Sequence, residues 1–253
     1  SSAASDVYKR QVSGQVSAAQ LTSCWQRVDG LGAHMLNFLE NHDEQRIASP
    51  EFAGDPFKAL PAMVVSALMS TGAVMIYGGQ ELGEPAEGAT GFSGNDGRTT
   101  IFDYYNIPTI QRWLGQSGRP ALTRLTDSER ELRSRYKAIL DLCCKERAVA
   151  EGEFYDLMYV NFHTPGFNPH EHFAFLRRKD KETILVVANF GGNGGDVNVV
   201  VPAHAFEYLG MGEGTVKAVD LLGTGTMHLE LHPDKATTVK IAPHSAVALK
   251  FTL

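Results

Sequence analysis

The way apolar positions recur along the chain changes near residue 147. Before it, helical stripes alternate with short continuous runs. From Ser17 to Val28, Leu21, Trp25 and Val28 share one side of a predicted helix, and Gly30 and Gly32 punctuate its end. Ala33 to Leu39 (AHMLNFL) is short and mostly apolar, which predicts a strand buried on both faces. Asp55-Pro56 marks a helix start. Pro61 delays the regular helix, expected to reach about Ser70 with Leu60, Val64 and Leu68 facing the core, and Gly72 ends it. Ala73 to Tyr77 (AVMIY) is a second strand-like run. After a polar, glycine-rich loop from Gly78 to Thr100, the sequence Thr126-Asp127-Ser128-Glu129 has capping-box spacing. The helix it opens carries an apolar stripe of Leu132, Tyr136, Ile139, Leu140 and Cys143. Helix, strand, helix, strand, helix in that order predicts parallel α/β structure.

After Arg147 short β-branched or aromatic runs take over: FYDLMYV, HFAFLRR, TILVVANF, DVNVVV, VKAVDL, MHLEL, TTVKIA and AVALKF. Turn signals separate them, including Arg178-Lys179-Asp180-Lys181 and Gly191-Gly192-Asn193-Gly194-Gly195. This pattern predicts an antiparallel β-sandwich over 148–253, following an α/β region over 12–147, with the boundary between residues 147 and 152. Residues 1–11 (SSAASDVYKRQ) show neither a hydrophobic period nor a secretory apolar core. They read as a non-native leader, and the natural chain is expected to continue upstream.

Composition narrows the field. With 43% hydrophobic and 21% charged residues, the 253-residue chain is globular, as one large domain or two ordinary ones. A net charge of -6 supplies no global field toward nucleic acid. No apolar run approaches the ~20 residues of a membrane-spanning helix. Cys24, Cys143 and Cys144 are odd in number and include an adjacent pair, which argues for free thiols rather than a disulfide framework.

Chemistry concentrates in Phe38 to Arg46, FLENHDEQR, directly after the first apolar run. Polar residues at the C-terminal end of a parallel strand are where α/β barrels and open sheets place their sites. FLENHD resembles the fourth signature region of the α-amylase family, glycoside hydrolase family 13. AVMIYGGQELGE (Ala73 to Glu84) is similar to that family's eighth barrel strand and the loop after it. GRTTIFDYYNIPTIQRWL (Gly97 to Leu114) is similar to the segment before its last barrel helix, and the terminal sandwich to its C-terminal β-domain. The resemblance spans roughly residues 15–253. It implies the C-terminal part of a (β/α)8 TIM barrel, from helix 6 to helix 8, followed by an antiparallel β-sandwich.

By the same resemblance, Asp43 corresponds to the third catalytic carboxylate, which is neither nucleophile nor acid. Such a group holds sugar hydroxyls through charge-assisted hydrogen bonds that tighten in the transition state. His42 would donate to the same ring. Without the family pattern, Asp43 reads as a turn or N-cap aspartate. Asn41 reads first as a turn residue and second as a sugar contact. Arg46 is a candidate substrate contact that would pair with Asp43 or Glu44, or else a plain surface arginine. Phe92, Tyr104 and Tyr105 are candidates for sugar stacking, with core or loop anchoring as the alternative, and Tyr77 is expected to be packed. Glu81, Glu84 and Glu87 read as a solvated loop face, although Glu81 matches an acidic position of the family.

Other features carry less. His170 and His172 would point the same way on a strand, but two ligands make a weak metal site. Asn95-Asp96-Gly97 lacks the remaining positions of a calcium loop. GGNGG reads as a hairpin turn, without the lysine of a phosphate loop. No cofactor is therefore expected for this chain, with calcium left to a longer protein.

Retaining glycoside hydrolysis needs two carboxylates about 5–5.5 Å apart. The family carries its nucleophile aspartate and its acid/base glutamate at the ends of barrel strands four and five, which have no counterpart in this sequence. The expectation is a C-terminal fragment of an enzyme acting on α-glucosidic bonds of starch-like glucans, inactive and poorly soluble alone. An α-glucan transglycosylase, or a non-catalytic carbohydrate-binding or scaffold module, is the alternative. The partner in each enzymatic reading is an α-glucan or malto-oligosaccharide.

Overall fold

The computed structural model describes residues 9, 10, 12, 14, 16–88, 95–100, 102 and 106–253. Helix α1 (Gln20–Gln26) is shorter than its periodicity predicts and buries Leu21 and Cys24. The chain just before it is tied to the C-terminal half, because the N–H groups of Ala18 and Ala19 donate to the carbonyls of His170 and Pro169, both at 3.0 Å.

The two apolar runs form a parallel pair, as their composition implies, but only over β1 (Leu36–Asn37) and β2 (Ala73–Val74). Longer strands over 33–39 and 73–77 were expected, both buried on two faces. The difference has a physical cause. A parallel strand buried on both faces needs neighbours on both edges and cover above and below. Among the described residues β1 and β2 pair only with each other, and Leu36 stays 44% exposed. The parallel α/β region therefore contains no closed barrel among the described residues.

Between the strands, Asp55 accepts from the Phe57 N–H at 2.9 Å and starts a short 3-10 turn, Pro56–Ala59. Helix α2 (Leu60–Leu68) follows with Pro61 in its first turn, where a missing N–H costs nothing. Every residue from Pro61 to Leu68 is buried. The helix is covered all round because it lies among the α/β elements and also against the sheet of the C-terminal half. After α3 (Pro108–Leu114), helix α4 (Asp127–Lys145) forms the predicted capping box. The Glu129 N–H donates to Thr126 Oγ1 at 3.2 Å, and Glu129 Oε2 accepts from the Thr126 N–H at 2.7 Å. Leu132, Tyr136, Ile139 and Leu142 are buried, while Leu140 and Cys143 sit at the margin of the stripe.

Helix α5 (Arg147–Ala150) leads into the antiparallel half. Strands β3 (Glu153–Asp156), β4 (His172–Lys179), β5 (Glu182–Asn189), β7 (Gly214–Asp220), β8 (Thr226–Leu231) and β10 (Ser245–Thr252) form one sheet in the order β3-β4-β5-β10-β7-β8. Strands β6 (Gly195–Val200) and β9 (Ala236–Ile241) pair as a second, antiparallel sheet. GGNGG is accordingly no hairpin: it carries the chain from β5 in one sheet to β6 in the other. The run FYDLMYV divides into β3 and helix α6 (Met158–Asn161), and helix α7 (Ala203–Leu209) follows β6.

β4 and β5 are buried along almost their full length, which explains why both read as unbroken apolar segments. Two buried arginines, Arg177 and Arg178, follow the apolar run of β4. Arg177 donates to the carbonyls of Met69, Ala148, Val149 and Gly152 at 2.8–3.1 Å, so one cation closes the C-terminal ends of α2 and α5. Burial holds its pKa down at about 10. The buried apolar residues of both halves form a single continuous core.

Candidate functional site

Just beyond β1 the chain turns sharply, and Asn41 fixes the turn. Its Oδ1 accepts from the N–H groups of Asp43 and Glu44, both at 3.0 Å, an Asx arrangement that needs this short amide. The turn presents Asp43 outward with its side chain 71% exposed, and His42 Nε2 lies 3.4 Å from Asp43 Oδ1.

Beneath the turn lies a buried ion pair. Glu40 Oε2 accepts from Arg46 Nη1 at 2.9 Å, and Glu40 Oε1 accepts from the Ile47 N–H at 2.7 Å. Arg46 also donates to Thr99 Oγ1 at 2.9 Å and to the Gly78 carbonyl at 2.8 Å. Its guanidinium lies 4.2 Å from the centroid of the Tyr77 ring, whose hydroxyl donates to the Thr99 carbonyl. One side chain thus binds the turn after β1, the segment after β2 and the loop at 97–99. This corrects the expectation for Arg46: its partner is Glu40, not Asp43 or Glu44. With no exposed surface, the arginine supports the turn and offers nothing to a ligand. Tyr77 is packed as expected.

Two further hydrogen bonds to backbone carbonyls hold the same turn. The Arg46 N–H donates to the Gly97 carbonyl at 2.6 Å, and Gln45 Nε2 donates to the Asp96 carbonyl at 3.2 Å. Gly97 has φ of 77°, and a Cβ there would stand 2.5 Å from Ser49 Oγ, so only glycine fits. Lys9 Nζ donates to Glu44 Oε2 at 3.1 Å and to the Gln45 carbonyl at 2.8 Å. Lys9 is buried, a placement the reading of residues 1–11 as a mere leader did not anticipate.

The three loop glutamates do not share a solvated face. Glu87 is exposed, but Glu84 is buried and accepts from the Thr109 N–H and hydroxyl, pinning the start of α3. Its carboxylate replaces water at a helix N-terminus, a role no local sequence period reveals. Phe92, Tyr104 and Tyr105 lie outside the described residues.

His170 and His172 do not converge on a common point. His172 begins β4 and its Nδ1 accepts from the Asn168 N–H at 3.0 Å, whereas His170 precedes the strand and meets Ser17 Oγ. Among the described residues no group of three or more His, Cys, Asp or Glu side chains is arranged to hold a metal ion, and no helix is long and apolar enough to cross a membrane.

A cavity of about 610 Å³ lies at the opposite end of the parallel strands, among α1, the residues before β1 and β2, β3 and α7. It shares no residue with the turn at Asn41–Arg46. Sequence reasoning missed it because its walls come from five separate segments.

No family model and no curated protein matches the sequence. Solved structures do match. A noncanonic maltogenic α-amylase from Thermotoga neapolitana superposes with a TM-score of 0.64 at 15% identity, over 99% of this chain and 49% of its own. An Anoxybacillus α-amylase gives 0.62 at 17% identity over 99% of this chain and 45% of its own. A Geobacillus thermoleovorans α-amylase gives 0.62 at 14% identity over 97% of this chain and 46% of its own. At such identities the likeness is one of fold: the chain has an α-amylase-like fold. It spans 45–49% of the length of these three structures.

Proposed function

We propose that the chain is the C-terminal part of a retaining α-glucan-acting enzyme of glycoside hydrolase family 13. On this reading residues 12–147 supply the last part of the catalytic barrel, and residues 148–253 form its β-sandwich domain. The observation that carries it is the Asn41-His42-Asp43 turn at the C-terminal end of a parallel strand, within a chain that follows the α-amylase fold over nearly its whole length.

Asp43 accepts hydrogen bonds from the hydroxyls of the sugar at the cleavage point and favours its distorted, oxocarbenium-like ring. His42 donates to the same sugar, and Asn41 holds the turn in register. Arg46 and Glu40 keep the turn rigid from below. The nucleophile and the acid/base belong to the remainder of the enzyme. An α-glucan transglycosylase is the sister reading, favoured by the likeness to a structure described as a γ-CGTase from alkalophilic Bacillus clarkii, with a TM-score of 0.59 at 15% identity over 31% of its own chain.

Two measurements test the proposal. The purified 253-residue chain releases no maltose or glucose from starch; release would overturn the assignment of the bond-breaking groups to another segment. In the complete gene product, Asp43→Asn lowers kcat by about 10²–10³-fold or more, the scale for removing one transition-state hydrogen-bonding group. Retained activity would overturn the role of Asp43. Product analysis with malto-oligosaccharides separates hydrolysis from transglycosylation.

A further inference from the structure

Arg178 is a buried cation with no carboxylate side chain to balance it. It sits one residue from the end of β4 and is only 6% exposed. Its Nη1 donates to Thr183 Oγ1 on β5, and its Nη2 donates to the Gly210 carbonyl at 3.0 Å, just past α7. Among the described residues no Asp or Glu forms an ion pair with it. The carboxylates of the adjoining segments are engaged elsewhere: Glu151 and Asp180 pair with Arg147, Glu182 with Lys250, and Glu213 with His232. Glu153, opposite Arg178 in the β3–β4 register, and Glu207 on α7 are both exposed. Burial holds the Arg178 pKa below its ordinary 12.5, and no neighbouring charge pulls it back up.

A desolvated guanidinium is costly unless an anion accompanies it. The C-terminal end of α7 places partial negative charge beside Arg178, but a dipole is less than a full counter-charge. The Nε of Arg178 is also buried with no hydrogen-bond partner. One further oxygen lies within reach, the carbonyl oxygen of Leu253, which accepts from Nη2 at 3.4 Å. Leu253 is held there by its neighbours. It follows β10 directly, packs half-buried against the core, and brings its carboxyl carbon to 3.4 Å from the Cβ position of Gly212. An anion from solution would have to displace Leu253, whereas a carboxylate on Leu253 is already in place. Arginine and carboxylate make the strongest of the charge-assisted hydrogen bonds, and chain-terminal carboxylates are a recurring target of such sites.

We propose that Arg178 is a built-in carboxylate receptor whose ligand, in the 253-residue chain, is the terminal carboxylate of Leu253, fastening the end of β10 to β4 and to the turn after α7.

Two forms of the 253-residue chain that differ by one group test this: the native acid, and a Leu253 α-carboxamide made by ligation. The amide keeps the carbonyl and loses the charge. Its melting temperature at pH 7, followed by circular dichroism, should be lower by about 3–10 °C, the scale for one charge-assisted hydrogen bond in a chain of this size. In Arg178→Met the acid and the amide should melt together. An amide as stable as the acid, or an equal loss in both backgrounds, would overturn the proposal. Carbon-13 titration of the Leu253 carboxyl needs no substitution and decides the matter should Arg178→Met fail to fold. The carboxyl should titrate below the ~3.3–3.7 of free α-carboxyls; a value within or above that range would overturn the site. Because the folded value is depressed, the acid's advantage over the amide should fade as pH falls through it. An advantage that persisted below that pH would likewise exclude an ion pair.

Discussion

Replacing Arg46 by alanine tests whether the turn that carries Asp43 is held from below. The substitution removes the 2.9 Å ion pair to Glu40, the donations to Thr99 and Gly78, and the packing over Tyr77. Glu40, itself only 2% exposed, is left with the Ile47 N–H as its remaining hydrogen-bond donor. Removing one partner of a buried pair costs about 3–5 kcal/mol, because the other charge stays desolvated. With an m-value of about 3 kcal/mol/M in urea, the midpoint should fall by about 1–1.7 M. The double variant Glu40→Gln with Arg46→Met keeps an acceptor for Ile47 and removes both charges. It should recover at least half of the loss, since replacing both members of a buried pair is often close to neutral. Urea unfolding followed by near- and far-UV circular dichroism measures both, provided the two signals coincide. A loss below about 1 kcal/mol for Arg46→Ala would refute the argument, given the scale for a broken buried pair. So would a double variant no more stable than the single one.

Other perturbations probe different parts of the molecule. Burial raises the pKa of Asp156 above its ordinary 3.8, outweighing the three donors that pull it down. The native state therefore holds a proton that the unfolded chain has released, so this contribution is full below pH 3.8 and fades as pH rises through the folded value. Asp156→Asn should become more favourable relative to wild type between pH 4 and 7; a stability difference constant with pH would contradict the burial argument. Cys144 is exposed, whereas Cys24 is buried and burial pushes the Cys143 thiol up to about 11. Brief alkylation of the native protein at pH 8 should label Cys144 first, because thiolate character and access both control the rate. Mass mapping that found Cys143 modified equally fast would refute this. Arg177→Met should lower stability by about 1–3 kcal/mol or more, because it leaves buried carbonyls unsatisfied. A melting temperature unchanged by that variant would show that the closure of α2 and α5 does not depend on it.

What the sequence disclosed follows from how locally each feature is specified. The capping box at Thr126 to Glu129 and the apolar stripe after it are complete within one segment, and α4 forms accordingly. The antiparallel character of residues 153–252 was equally plain, because recurring apolar strands and turn signals fix it at short range. Strand length in the parallel pair was not, since a run such as AVMIY becomes a full strand only when other strands flank it. The same distinction divides the candidate sites. Asn41, His42 and Asp43 are consecutive, and the side chain that builds their turn lies within it. Their support is not local: Glu40 meets Arg46 inside, and Arg46 reaches Gly78 and Thr99 across two other segments. A charged stretch read along the chain looks uniformly solvated, yet folding sorts FLENHDEQR into a buried pair and an exposed one. The buried pair holds the turn from below, and the exposed pair of His42 and Asp43 rides on it. The cavity around Trp25 shows the limiting case, in which each wall residue reads as ordinary core or surface until five segments meet.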